Sequence, residues 1–151
     1  MTQHTSPSEP IVREVRVAAP REEVFRYFTD PDKMILWHAR AAWVDLRPGG
    51  EFRIDITDGH MARGEFLEID PPRRVVFSWG WDGSTELPPG ASRVEITFAD
   101  VGEGDTLMRL VHTGIPQNLR DGNVSGWDHY LPRLQLAASG QRPGPDPWAT
   151  S

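Results

Sequence analysis

The chain contains no cysteine. That single absence removes disulfides, thiolate metal sites and cysteine nucleophiles together, and it fits a reducing cytoplasm. No apolar run approaches the ~20 residues of a membrane-spanning helix, so no membrane partner is expected. Residues 1–10 lack the charged and apolar regions of a signal peptide. There is no excess of positive charge. The net charge of −6 argues against a nucleic-acid surface and is an ordinary solubility charge for a small protein. Also missing are a phosphate-binding loop, a dinucleotide fingerprint, a Ser-His-Asp pattern, and any pair of histidines spaced to grip a metal from one helix face. No metal site and no cofactor is expected.

What remains is a chain of 151 residues, suited to one domain. Folding at that size buries roughly 68–70% of the extended-chain surface. Six tryptophans are the unusual feature. Five fall inside the predicted fold, at positions 37, 43, 79, 81 and 127, and Trp148 falls in a tail.

The stretch from Asn118 to Ser139 organises the rest. With ~100° per residue and Trp127 at zero, Val124, Leu131, Leu134 and Ala138 lie within about 60° of the indole. Tyr130 and Ala137 widen the stripe, while Asp128, His129, Arg133 and Gln135 fall outside it. So broad an apolar face needs a broad surface beneath it. Pro132 sits on its polar side and should bend the helix convex toward solvent.

Residues 1–10 read as a disordered tail. Ile11 to Ala18 alternates and reads as a strand. Pro20 opens a helix whose first turn carries Glu22 and Glu23, and Asp30-Pro31 opens a second short helix through Met34, Leu36 and Trp37. The period then changes to two. Ala42 to Arg47, Glu51 to Thr57, His60 to Ile69, Arg74 to Trp81, Ser92 to Ala99 and Thr106 to Thr113 read as strands, with Pro48-Gly49-Gly50 and Asp58-Gly59 as turns. Gly140 ends the last helix, and residues 140–151 read as a second disordered tail around a domain at 11–139.

Strand, two helices, six strands and a long helix predict an α+β fold. A curved antiparallel sheet of about seven strands, covered on one face, should wrap around the last helix. One helix of about twenty residues cannot seal such a sheet at both ends. A hollow between helix and sheet follows, lined by inward strand residues and Trp127.

The same order of residues resembles the SRPBCC or START-like helix-grip superfamily. Within it, the chain is similar to proteins related to the C-terminal domain of the activator of the heat-shock protein 90 ATPase. The matching pieces are Ala19-Pro20-Arg21-Glu22-Glu23-Val24-Phe25, Trp37, Pro48-Gly49-Gly50-Glu51-Phe52, and Gly64-Glu65-Phe66-Leu67-Glu68-Ile69-Asp70-Pro71-Pro72. They continue through Val76-Phe77-Ser78-Trp79, Val94-Glu95-Ile96-Thr97-Phe98, Thr106-Leu107-Met108-Arg109-Leu110-Val111-His112 and Gly126-Trp127. The activator's N-terminal chaperone-binding domain is not among them, and Pro132 departs from the pattern. The resemblance implies a hydrophobic ligand cavity, usually without a catalytic motif, and a link to stress response.

Inward positions and resemblance together give the expected ligand-binding set: Trp37, His38, Phe52, Ile54, Phe77, Trp79, Trp81, Met108, Leu110, His112, Trp127, Tyr130 and Leu131. His112 is either a general base, a hydrogen-bonding partner for ligand, or a histidine satisfied by nearby groups. Glu65 faces either way; buried, it would be an acid. Trp79 and Trp81 are either an aromatic wall or plain core, and Trp43 falls on the outer side. The loop from Asp82 to Ser92 and the turn Gly114 to Gln117 are expected to border the entrance.

The first expectation is therefore a protein that binds a small apolar or aromatic molecule, with a homodimer possible. The rival expectations are a cyclase or dehydratase acting on a polyketide-like substrate, and a chaperone accessory or natural-product resistance protein that sequesters its target.

Overall fold

Strand pairing, rather than helix formation, sets the frame of the molecule. A computed structural model describes residues 9–57, 60–144 and 146. Its strands are β1 (Ile11–Val17), β2 (Ala41–Val44), β3 (Glu51–Thr57), β4 (His60–Asp70), β5 (Arg74–Trp81), β6 (Ser92–Val101) and β7 (Asp105–Thr113). They form one seven-stranded antiparallel sheet in the order β1-β7-β6-β5-β4-β3-β2. Consecutive strands from β2 to β7 are hairpin neighbours, and β1 closes onto β7 in the register Ile11↔His112, Arg13↔Leu110, Val15↔Met108. Two short helices, α1 (Arg21–Arg26) and α2 (Pro31–Met34), link β1 to β2. A 3-10 turn at Gln117–Leu119 leads into the long helix α3 (Arg120–Ala138).

Local chemistry explains each boundary. Asp30 caps α2 by accepting from the Asp32 N–H at 3.0 Å, and Pro31 fills the first helical position. α2 ends at Met34, so Leu36 is exposed rather than helical. β2 stops at Val44, three residues earlier than its composition predicts, because Arg47 to Gly50 closes a turn through the Gly50 N–H to the Arg47 carbonyl at 2.8 Å. Gly140 takes φ +89° just past α3, a left-handed position that favours glycine. The Asp58-Gly59 turn lies outside the described residues, but the Thr57↔His60 pair flanks it.

The strand alternation places the inner face, although β5 is buried on both faces, Val76 and Ser78 included, rather than covered on one side as expected. Phe52, Ile54, Phe66, Phe77, Trp79, Val94, Ile96, Phe98, Met108 and Leu110 are all buried in one core with α1 and α3. From α3 it takes Trp127, Tyr130, Leu131, Leu134, Ala137 and Ala138, as the angular stripe requires, with Val124 partly buried. Pro132 lies inside α3 and is exposed. Asp128 is not simply solvated. Arg13 of β1 grips it with Nε at 2.7 Å and Nη2 at 3.2 Å, so one side of α3 is tied to the sheet edge.

Two described residues of the stretch expected to be a free tail, Gly144 and Asp146, bond to α3. Gly144 accepts from Arg133 Nη2 at 2.8 Å, and Asp146 receives Tyr130 Oη and lies 2.7 Å from His129 Nε2. His129, expected to point outward, is thereby partly buried. The polar side of α3 offers these hydrogen-bonding groups, which is why a segment with no apolar period can still dock. Residues 1–8 of the N-terminal tail, and Trp148, lie outside the described residues. Among the described residues, no helix is long and apolar enough to cross a membrane.

Candidate functional site

The placement of Trp127 determines what the sheet and α3 enclose. Its indole N–H donates to His112 Nδ1 at 3.0 Å. His112 is only 1% exposed, and burial pushes its pKa down to about 3, so the ring is neutral at physiological pH. With Nδ1 accepting, the ring proton sits on Nε2 and donates to Ser92 Oγ at 2.8 Å. Ser92 in turn donates to the Trp79 carbonyl at 2.7 Å. The chain of donors and acceptors is complete: it fastens α3 to β7, β6 and β5, and leaves no His112 nitrogen for a ligand. Of the three readings the sequence allowed for His112, this geometry is the satisfied histidine.

Beside that clamp, at the N-terminal half of α3, lies a half-open cavity of about 200 Å³. Its walls are His38, Ile56, His60, Trp79, Trp81 and, from α3, Gly122, Asn123, Gly126, Trp127 and Tyr130. The indoles of Trp79 and Trp127 approach to 5.9 Å between centroids, and Trp79 meets Trp81 edge-on at 5.7 Å. The two glycines explain why there is space. A Cβ built on Gly122 or Gly126 would meet nothing within 4 Å. Spaced four apart on a helix, they leave the stretch of α3 that borders the cavity short of side chains. The Tyr130 hydroxyl is committed to Asp146 at 2.7 Å. Burial first, then the neighbouring carboxylate, holds its pKa well above the usual phenol range.

Beneath the cavity lies a void of about 10 Å³ lined by Phe28, Met34, His38, Phe52, Ile54, Phe66, Phe77, Trp79 and Trp127. It has room for no more than a single water. His38, Trp79 and Trp127 border both spaces. His38 is stacked flat on Trp37, 3.7 Å between centroids and 1° between planes. Burial pushes its pKa down to about 3, so it too is neutral. Its Nε2 is buried and has no hydrogen-bond partner among the described residues.

The expected set thus divides. His38, Trp79, Trp81, Trp127 and Tyr130 line the cavity, and Phe52, Ile54 and Phe77 line the void below it. Met108, Leu110 and Leu131 are core and border neither space. Over that end of the sheet α1 and the turn after it have filled the hollow, with Phe25 and Phe28 packed on Phe98 at 5.5 and 6.0 Å. Trp37 is buried against Phe28 and donates to the Tyr27 carbonyl at 2.9 Å; it plugs the join of helices and sheet and borders an outer groove instead. Glu65 is exposed on the outer face, so it is no cavity acid. Trp43 is 53% exposed, on the outer side as its alternation implies.

The loop from Asp82 to Ala91 does not border the cavity either. It folds back along the outer face of β5, where the Trp81 N–H donates to the Leu87 carbonyl at 2.8 Å. A Cβ at Gly80 would strike the Pro88 carbonyl. Glycine is needed there for close backbone approach. Ile56, His60, Gly122, Asn123 and Gly126 were not among the expected site residues. Ile56 was legible from the alternation of β3.

Comparison with known proteins agrees with this architecture. The model of the activator of Hsp90 ATPase homolog 1-like proteins matches residues 18–138. An AHSA1-like protein from Rhizobium etli, solved by NMR, is 42% identical with a TM-score of 0.75, covering 98% of this chain and 92% of its own. The crystal structure of CalU16 from Micromonospora echinospora is 30% identical with a TM-score of 0.71, covering 87% and 76%. An uncharacterised protein of Schizosaccharomyces pombe is 28% identical over 120 residues, which are 75% of this chain but 32% of that protein. The chain therefore spans about a third of the length of that relative. From its matched residues and its fold, the chain belongs to the activator of Hsp90 ATPase homolog 1-like family.

Proposed function

We propose that the protein binds a small apolar or aromatic molecule in the cavity between α3 and the sheet. The observation that carries this reading is the cavity itself: about 200 Å³, walled by Trp79, Trp81, Trp127 and Tyr130, and bordered by two glycines in the N-terminal half of α3. Glycine within a helix costs roughly 0.5–1 kcal/mol relative to alanine, and a filled core would gain from a side chain at Gly126. Empty space kept at that cost, with aromatic walls, is what a planar ligand needs. The volume lies below the ~300–1,000 Å³ of sites for drug-sized molecules, so the occupant has one or two rings.

Proton-transfer catalysis of the cyclase or dehydratase kind draws less support. Its two sequence candidates are out of reach, His112 being hydrogen-bonded on both nitrogens and Glu65 being outside. A direct test is titration with a panel of one- and two-ring aromatic compounds while following tryptophan emission and melting temperature. Bound ligand should quench or shift the emission of Trp79, Trp81 and Trp127 and should raise the melting temperature with concentration. Trp81→Ala should weaken the response and Trp43→Ala should leave it alone. A panel that moves neither signal sinks the binding reading and favours a role in protein–protein contact.

A further inference from the structure

The two edges of the sheet are guarded very differently. At one edge, β1 carries Arg13, Glu14 and Arg16. Its Val12 carbonyl accepts from Arg13 Nη1 at 2.8 Å, and its Arg16 carbonyl accepts from Gln135 Nε2 of α3 at 2.9 Å. Charges and a covering helix are how native sheets keep other strands off an edge. At the other edge, β2 reads Ala41-Ala42-Trp43-Val44, with neither charge nor proline. It pairs only with β3, in the register Ala41↔Asp55, Trp43↔Arg53. The Asp45 N–H donates to the Glu51 carbonyl at 3.0 Å, so the odd-numbered residues of β2 turn their backbone groups to β3. The N–H and C=O groups of Ala42 and Val44 therefore point off the edge, and among the described residues no hydrogen bond reaches them. Trp43 is 53% exposed between them, and half of the large apolar residues exposed among the described ones fall between Ile35 and Leu46.

We propose that the chain pairs with a second copy of itself, β2 against β2 and antiparallel about Trp43, so that the two sheets join into one. One register satisfies the backbone. With Trp43 opposite the partner's Trp43, Ala42 faces the partner's Val44 and Val44 faces the partner's Ala42. These are the residues with free backbone groups, so every free N–H meets a carbonyl. A slip of one residue would set groups committed to β3 opposite the free ones, and would make one copy's inner face continuous with the other's outer face. In the favoured register the two Trp43 residues form a pair without ladder bonds between them, where opposite side chains come closest, so the indoles cover each other. Charge supports the antiparallel sense. Arg40 lies 3.5 Å from Asp55, the register partner of Ala41. The partner's Asp45 comes opposite Ala41, within reach of the same guanidinium, and symmetry repeats the contact at the other end. A parallel pairing would instead set Asp45 beside Asp45. Strands of four residues bury less than the ~1,200–2,000 Å² of a stable interface, so the pair should dissociate readily, with a Kd on the order of 100 µM.

Sedimentation velocity on the full chain, from micromolar to millimolar concentration, tests the pairing. Monomer should give way to dimer across that range. The backbone amide resonances of Ala42 and Val44 should move with concentration while those of β1 stay fixed. Trp43→Glu sets two carboxylates face to face and should weaken association about tenfold or more. Ala42→Pro deletes an edge N–H that β3 does not use. It should weaken association as well, with the melting temperature close to that of the unsubstituted chain. Should Ala42→Pro not fold, Trp43→Glu and the resonance shifts decide the question without it. A monomer at every concentration overturns the self-pairing and leaves the edge to a strand from a different protein. A dimer whose shifts lie away from β2, or one that survives both substitutions, overturns it too. Neither result touches the ligand-binding reading, because β2 borders neither the cavity nor the void beneath it.

Discussion

The two halves of α3 lie on the same sheet and do opposite things. The C-terminal half contributes Leu131, Leu134, Ala137 and Ala138, all buried in the core, and the Tyr27 hydroxyl donates to the Ala137 carbonyl at 3.1 Å. The N-terminal half contributes Trp127 and two glycines, and leaves a cavity. The two buried histidines beside Trp127 differ in a second way. His112 is satisfied on both nitrogens and binds the helix to the sheet; His38 Nε2 is buried and has no hydrogen-bond partner among the described residues. Stability is concentrated at the packed end. At the other end the protein forgoes packing, and this is where a binding function can reside.

The largest expected effect is a truncation at the packed end. Leu134 is 0% exposed, so Leu134→Ala should cost about 2–5 kcal/mol and lower the melting temperature by roughly 5–15 °C. The comparable deletion at the hollow end, Val124→Ala, removes two methyls from a partly buried site and should cost about 1 kcal/mol. Equal losses at the two positions, measured by denaturant unfolding, would erase the distinction between the halves.

Acid should act through the two histidines. Both native pKa values are depressed to about 3 by burial, against about 6.5 in the unfolded chain. The unfolded state therefore binds protons first as pH falls below 6.5. The stability these neutral rings permit is complete above pH 6.5 and is lost progressively toward pH 3. At about 1 kcal/mol for each ring across that first unit, where the unfolded rings are still titrating, a drop from pH 6.5 to 5.5 should cost on the order of 2 kcal/mol. Urea midpoints across that interval measure it, and His38→Phe and His112→Phe should each remove about half of the slope.

Next comes the contrast between the histidines at neutral pH. His112→Leu leaves the Trp127 N–H and Ser92 without their partner, so it should cost about 1–3 kcal/mol for each group left unsatisfied, and it should shift the Trp127 emission. His38→Phe breaks no hydrogen bond made through Nε2 and should be close to neutral. A destabilising His38→Phe alongside a neutral His112→Leu would reverse the roles assigned to the two rings.

The sequence made the frame legible because strands of period two and a helical stripe of period 3.6 leave marks that local patterning preserves. Phe52, Ile54 and Phe77 fall where alternation puts them, and Trp127 leads the buried face of α3. The site was less legible because a cavity is a difference between surfaces. Met108, Leu110 and Leu131 point inward like the true lining residues, and only the position of Phe25 and Phe28 decides that their space is filled. His112 could not be resolved without its partner Ser92, twenty residues away in the chain. The loop after Trp81 carries the glycine and proline of a lid, yet the missing Cβ of Gly80 lets it lie along the outer face. Gly122 and Gly126 are not legible as site residues because alternation and helical stripes are patterns of side chains, and glycine has none.

Those glycines give the smallest and most discriminating prediction. Gly126 lies in the interior of α3, and a Cβ there meets nothing within 4 Å. Gly126→Ala should therefore gain helix propensity without a clash, stabilising the fold by roughly 0.5–1 kcal/mol. The same methyl projects into the cavity. Ligand affinity should fall while the melting temperature rises by about 2–4 °C. Gly126→Leu extends the test, because a longer side chain can occupy the space a ring would take and should abolish binding without unfolding the protein. Stability and binding must move in opposite directions at this one position if the hollow end is kept open for a ligand. If Gly126→Ala stabilises and leaves affinity untouched, the ligand sits elsewhere. If it destabilises, the space beside Gly126 is not open, and the contrast between the two halves of α3 loses its physical basis.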